Sequence, residues 1–399
     1  MIHRDDCSDL DARDPLAHLR ERFALPAGVV YLDGNSLGAL PSHVSARLHT
    51  AVTEEWGRDL IRSWNINGWA DLPYRVGDRL ARLIGAPPGS VVCCDSTSVN
   101  LFKVVSAALA STDRTVVLSD AGNFPTDLYV MSSLSEVRIV EPDEVIDHIT
   151  PDIGVVALTH VGFGTGRMHD MAAITQAAHS AGALMIWDLA HSAGAMDIDL
   201  GDADFAVGCG YKYLNGGPGA PAFVYVRPDR ISGFHNPITG WFGHAAPFDF
   251  DLSFVPAEGI ARVRVGTPHV LSLVALDSAL DVFDGVDMTE VRKKSVSLTS
   301  LFIDLVKQAD LGLRLVSPLD PARRGSQVCL AHPDGYSIIQ ALIERGVIGD
   351  FRAPDILRFG FAPLYVSHTD VFDAVQIMVE VVSSGVFREA RYATKNAVT

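Results

Sequence analysis

Two residues in this sequence could do chemistry together. Asp188 closes the apolar run Ala-Leu-Met-Ile-Trp-Asp (183–188), and Lys212 follows the next such run, Phe-Ala-Val-Gly-Cys-Gly (205–210), about 24 residues on. If both runs are strands of an open α/β sheet, the carboxylate and the amine emerge at its carboxyl edge, where such sheets bind ligands. A carboxylate there can hold a proton on a pyridine nitrogen. An amine there can condense with an aldehyde and later act as a base at Cα. Those are the needs of pyridoxal 5′-phosphate (PLP). His191 lies between the two, and Gly216, Gly217 and Gly219 after Lys212 let backbone approach a ligand closely. The same residues also admit a plainer reading, in which Asp188 caps a turn and Lys212 is a solvated charge. The pair alone leaves both open.

A phosphate would need a separate holder. Asp95-Ser96-Thr97-Ser98-Val99-Asn100 begins a predicted helix whose free N–H groups, hydroxyls and dipole favour an anion. An ordinary Ser/Thr N-cap has the same appearance. An anion site at an earlier strand-to-helix junction is, however, where a sheet carrying Asp188 and Lys212 would need one.

The elements that must position these groups follow from periodicity. Strands are predicted at Val29 to Leu32, Thr115 to Leu118, Val137 to Val140, Ile153 to Thr159, Leu184 to Asp188, Phe205 to Gly208 and Ala222 to Val226. Helices are predicted at Thr97 to Leu109, near Asp143 to Ile149, and at Met171 to Ser180. A short helix opens at Asp14-Pro15 with Leu16, Leu19 and Phe23 on one face; another follows Pro41 with Val44, Leu48 and Leu60. Apolar strands alternating with helices imply a mostly parallel sheet covered on both faces. The C-terminal part changes style, with strands at Val328 to Ala331, Val347 to Phe351 and Ile356 to Phe361 and helices at Tyr336 to Arg345 and Thr369 to Val382. The expected organisation is a large α/β domain over 61–285 and a small α+β domain made of 1–60 and 286–399.

Composition narrows the function. The 399 residues carry 32 Lys plus Arg against 48 Asp plus Glu, a net charge of −16 that repels nucleic acid and anionic membranes. No apolar run approaches the roughly 20 residues of a membrane span. The polar, acidic N-terminus is not a signal peptide. The five cysteines are odd in number and lack metal-binding spacing, which points to a reducing, cytoplasmic setting and no metal site.

Further motifs run in order along nearly the whole chain: YLDGNSLG (31–38), DSTSVNLFKV (95–104), NFPTD (123–127), Thr159 through FGTGR (163–167), WDLAHSAG (187–194), GYKYLNGGPG (210–219), GWFGH (240–244), VRVGTP (263–268) and LRFGFAPLY (357–365). In these the chain resembles the kynureninases, PLP enzymes of the aspartate-aminotransferase-like fold (fold type I). GWFGH and NFPTD are the most specific; the lysine motif is shared among related PLP families. The resemblance implies a seven-stranded, mostly parallel sheet and hydrolytic Cβ–Cγ cleavage of L-kynurenine, or also its 3-hydroxy form, to anthranilate and L-alanine in tryptophan catabolism. It further implies that Thr97 and Ser98 hold the phosphate, Phe124 stacks on the pyridine, Asp127 closes the same loop, and Thr159 lies beside the ring oxygen. Asp188 would pair with the ring nitrogen near His191. Lys212 would be the anchor and proton carrier, and Tyr211 would bond the phosphate and relay protons. Trp241 and Thr267 would reach the phosphate of a partner subunit, making a homodimer with shared sites; Thr267 stands where some members have asparagine. Arg358 would grip the substrate α-carboxylate, with Asn35, Ser36 and Trp64 on the substrate side.

Rival chemistries have their own residues. Gly34-Asn35-Ser36-Leu37-Gly38 fits the G-x-S-x-G elbow of serine hydrolases, which needs earlier strands that the roughly 30 preceding residues do not supply. A cysteine desulfurase, the nearest PLP competitor, needs an exposed, mobile C-terminal cysteine, yet Cys329 lies in the apolar run QVCLAH. Gly162, Gly164 and Gly166 lack dinucleotide-loop spacing.

Overall fold

The structure, a computed structural model, describes residues 2–394. Its strands are β1 (Val30–Tyr31), β2 (Val91–Cys93), β3 (Val116–Asp120), β4 (Glu136–Val140), β5 (Ile153–Thr159), β6 (Leu184–Asp188), β7 (Phe205–Cys209), β8 (Ala222–Val226), β9 (Arg314–Leu315), β10 (Gln327–Ala331), β11 (Val347–Ile348), β12 (Asp350–Arg352) and β13 (Ile356–Gly360). The main sheet has seven strands in the order β2-β8-β7-β6-β5-β3-β4. Only β8 runs antiparallel to its neighbours, β2 and β7; the remaining pairs are parallel.

Both faces of this sheet are buried, which is why its central strands are apolar without alternation. Along β5, Val155 and Ala157 join a cluster with Leu101, Val104 and Val105 of the Thr97–Leu109 helix. Val156 and Leu158 point the other way, into a cluster with Ile174 and Ala178 of the Met171–Ser180 helix. Side chains cap both helices: Ser96 accepts from Val99 N–H, as the Ser/Thr-rich start of its helix suggested, and Asp170 accepts from Ala173 N–H.

The C-terminal part carries a second sheet, β12-β13-β10-β9, wholly antiparallel. The N-terminal segment reaches it: β1 pairs in parallel with β11, and Asp33 bridges to Gly360. Among the described residues, no helix is long and apolar enough to cross a membrane.

Several local expectations fail for identifiable reasons. The strand expected over Val347 to Phe351 divides at Gly349, where a side chain would press within 2.8 Å of the Phe359 ring; β11 then serves one sheet and β12 the other. Leu60 is not on a buried helix face. The Val44–Thr50 helix passes into a wider π-turn at Ala51–Trp56, which shifts the phase, and Leu60 ends in left-handed backbone, 59% exposed. The helix near Asp143 shrinks to one turn, Ile146–His148, while Asp143 bonds Arg167 and Arg323. The segment after Asp14-Pro15 is a 3-10 helix, Ala17–Arg22, although Leu16, Leu19 and Phe23 are buried as expected.

Candidate active site

β5, β6 and β7 end side by side, with Thr159 opposite Asp188 in register. Their carboxyl ends floor a cleft lined by Thr97, Ser98, Phe124, Asp127, Thr159, Phe163, Asp188, Ala190, His191, Tyr211 and Lys212. Nine of the fifteen expected site residues therefore meet in one cleft. An outer cleft continues over the start of the Thr97–Leu109 helix and shares Thr97, Ser98 and Tyr211 with the inner one.

The electrostatics of the floor are specific. Asp188 is buried and accepts from Ala190 N–H at 2.8 Å. Burial raises its carboxyl, and Lys212 draws it back. Asp127, also buried, is pushed up further, first by burial and then by the facing Asp188 charge. Asp127 therefore holds a proton more readily than Asp188, which makes Asp127 the donor and Asp188 the acceptor of this pair. Lys212 Nζ donates to His191 Nε2 at 2.8 Å. Burial, then the Lys212 charge, holds that imidazole neutral. The Tyr211 phenol is raised by burial, so it remains a proton donor.

The walls are equally ordered. Asn123 Oδ1 accepts from Thr159 Oγ1 and from Phe124 N–H, and so fixes the entry to the Pro125–Leu134 helix. Phe124 is 43% exposed toward the cleft and meets Phe163 edge-on at 5.2 Å. The Phe163 carbonyl in turn accepts from Arg358 Nη1 at 3.1 Å. Phe163 was not singled out from the sequence, although it lies in the motif FGTGR; Asn123, in NFPTD, was likewise passed over.

These residues fit PLP. The test is the chemistry of the donor set: Asp188 is a buried acceptor on the cleft floor, and its close donors among the described residues are Ala190 N–H and the raised Asp127 carboxyl. A ring N–H is the partner such a carboxylate suits. An aromatic ring, a primary amine and the free first-turn N–H groups of a helix stand around the same space.

The remaining expected residues divide into two groups. Arg358, on β13, is 2% exposed and its guanidinium bonds Asp350 through Nε and Nη2. Ser36 Oγ donates to Asp350 at 2.7 Å and accepts from Arg358 at 2.7 Å. Those partners leave Ser36 no histidine base, so the hydrolase elbow is overturned. Asn35 departs from expectation: it is fully buried against Gln327 and Gly360 instead of facing the cleft. Trp64, Trp241 and Thr267 do not line this chain's cleft. Trp64 packs between Trp69 and Phe242. Trp241 is 39% exposed beside Phe248 and Phe250, and Thr267 is exposed two residues before His269, which lines the outer cleft. Cys329 is fully buried in β10, its thiol pushed up to about 11 by burial.

Comparison with known proteins agrees with this geometry. A cysteine desulfurase from Thermococcus onnurineus NA1 superposes with a TM-score of 0.78 at 18% identity, covering 92% of this chain and 98% of its own. One from Escherichia coli gives 0.75 at 21%, covering 92% and 99%. At such identities the likeness establishes the PLP-enzyme fold alone. A family model for the kynureninase C-terminal domain matches residues 291–378. A kynureninase from Pseudomonas fluorescens is 51% identical over the full length of both chains. Another from Deinococcus radiodurans is 55% identical over 92% of this chain and 93% of its own. Similarity of that degree from end to end means that the chain belongs to the kynureninase family.

Proposed function

We propose that this protein cleaves the Cβ–Cγ bond of L-kynurenine hydrolytically, giving anthranilate and L-alanine, with PLP as cofactor. The carrying observation is the union of Asp188, His191, Tyr211 and Lys212 with Thr97 and Ser98 in one cleft. When bound, PLP supplies an electron sink for the pair left at Cα.

The chain's own groups do the rest. Arg358 holds the α-carboxylate and so orients Cα toward the Lys212 amine. Lys212 Nζ takes the Cα proton, and the neutral His191 ring that it touches keeps a second cation away from that amine. Asp188 would set its carboxylate against the cofactor's ring nitrogen, and the raised carboxyl of Asp127 would spare that site a second negative charge. Tyr211 Oη holds a proton that can be returned toward Cβ when the aryl product has left. Phe124, braced by Phe163, would cover the flat face of the bound ring, and Thr97 and Ser98 would hold its phosphate.

The complete unit in this reading is a cytoplasmic homodimer. Support comes from Trp241 and Thr267, which stand exposed outside their own chain's cleft where a neighbour's outer cleft could receive them. The domain division at 61–285 is proposed with one adjustment. Val44 and Leu48 pack with Ala275 and Ala279, so the large unit begins nearer residue 40. A desulfurase reading retains only the shared fold, because Cys329 is buried.

The test is an absorbance spectrum with a fluorescence assay for anthranilate. A visible-edge chromophore and anthranilate release in the wild type, both lost in Lys212→Ala, are expected. Wild-type protein that desulfurates cysteine and releases no anthranilate from kynurenine would sink the proposal.

A further inference from the structure

Asp350 and Arg358 face each other in the β12–β13 register, so their side chains leave the same side of the sheet. Their side chains are 3% and 2% exposed. Asp350 Oδ1 accepts from Arg358 Nε at 2.8 Å, and Oδ2 accepts from Nη2. This is the two-pronged arrangement in which a carboxylate and a guanidinium fix each other's plane. The other Nη2 proton reaches Ser36 Oγ, and one Nη1 proton reaches the Phe163 carbonyl. One edge of Arg358 is therefore closed by an internal carboxylate. The opposite edge, Nη1 with Nη2, is flanked by Ser36 and by Phe163, the residue that lines the cleft.

We propose that Asp350 is a positioning residue for substrate recognition: it locks the Nε edge of Arg358 so that the Nη1/Nη2 edge, once Ser36 gives up its Nη2 proton, is presented to the incoming α-carboxylate. The inference rests on Arg358 being the carboxylate anchor, as proposed above.

Two effects compete. Asp350 carries a negative charge, which repels a second carboxylate. It also holds the guanidinium in the plane that a second carboxylate requires. Orientation dominates, because Asp350 is flanked by two cations: Arg352 Nη2 lies 2.7 Å from the same Oδ2. The cluster of Arg352, Arg358 and Asp350 is thus net positive before substrate enters. Asp33, the other carboxyl facing it, is raised to about 7 by burial and then by Asp350, so near neutral pH it adds less than a full negative charge, and its Oδ1 is buried without a partner. Removing Asp350 would leave the Nε–H and one Nη2–H of a 2%-exposed side chain without acceptors, so the guanidinium must rotate to find others.

The test uses the holoenzyme, with L-kynurenine and its neutral α-carboxamide as competing ligands. In Asp350→Asn, L-kynurenine is expected to bind about tenfold more weakly, the loss falling on KM rather than kcat. The carboxamide, which presents no carboxylate, should bind as it does to the wild type. Asp350→Glu should recover part of the loss, and it provides the same readout if the asparagine variant fails to fold. Equal weakening of acid and amide, or tighter binding of kynurenine, overturns the proposal. Arg358→Gln run in parallel separates the two layers. If it leaves the acid-to-amide ratio unchanged, the anchor reading is wrong. If it collapses the ratio while Asp350→Asn and Asp350→Glu do not, only the positioning role is refuted.

Discussion

Asp33 offers a measurement whose sign and size both follow from its surroundings. It lies in the N-terminal turn with one carboxyl oxygen buried and unpartnered. Burial, then the Asp350 charge, pushes its pKa up to about 7 from 3.8; Ser36, Arg358 and Arg352 pull the other way. Tyr31, Tyr213 and Tyr365 also face it and stay neutral, their phenols raised by the same burial. Below about pH 4 the carboxyl is neutral in both folded and unfolded chains and costs nothing. Between about pH 4 and 7 the unfolded chain releases the proton and the folded one keeps it, so stability falls as pH rises. Above about pH 7 both are ionised and the penalty is constant. Three units at about 1.4 kcal/mol each give an upper bound of about 4 kcal/mol. An Asp33→Asn variant escapes this penalty. Its stability relative to wild type, read from urea unfolding of the holoenzyme at saturating PLP, should increase from about pH 5 to about pH 7 and then level off. A difference independent of pH, or one that shrinks toward alkaline pH, would refute the reasoning, for it would mean that Asp33 is ionised in the folded protein throughout.

Other perturbations probe different parts of the site. A side chain at Gly38 would come within 2.2 Å of the Lys212 carbonyl, so Gly38→Ala should displace the lysine loop and cut turnover by about a hundredfold, with the bound-cofactor spectrum altered and the far-ultraviolet dichroism retained. Lys103 is fully buried and bonds Asp95 at 2.8 Å and the Val263 carbonyl at 3.0 Å, so Lys103→Met, which strands Asp95, should lower the urea midpoint by the equivalent of about 3 kcal/mol and loosen the start of the adjacent helix. If Trp241 serves the partner's site, mixing inactive Lys212→Ala with impaired Trp241→Ala subunits should restore about one intact site per mixed dimer; no recovery after proven subunit exchange would argue against a shared site.

What was legible in the sequence was mostly local. β5, β6 and the Thr97–Leu109 and Met171–Ser180 helices fall where the apolar pattern puts them, because a strand buried on both faces must be apolar and a helix must bury one face. The Leu72–Leu83 helix went unnoticed although Pro73 stands in its first turn. Leu60 misled, because a π-turn changes which residues share a face and nothing in the spacing announces it. Trp64 is expected on the substrate side, but no local pattern tells which rings an aromatic packs on, and here those are Trp69 and Phe242.

The same distinction divides the site itself. Its cofactor side is made by successive βα steps along one sheet edge: Thr159 and Asp188 end β5 and β6, Lys212 follows β7, and Thr97 and Phe124 stand at helix starts after β2 and β3. Right-handed crossovers bring such positions together once the strands are recognised, so pattern reading alone comes close to them. The substrate side is closed by contacts between distant segments, Ser36 with Arg358 and Asp350, and Arg358 with the Phe163 carbonyl. No local pattern encodes those contacts; they exist because β12 and β13 pair in one register and the N-terminal turn docks beside them. A one-residue slip of β12 would turn Asp350 to the opposite face and release Arg358. With Arg358 as the proposed carboxylate anchor, recognition would depend on the pairing of a three-residue strand, and β12 is where mutations remote from PLP should alter KM while leaving the bound-cofactor spectrum as it is.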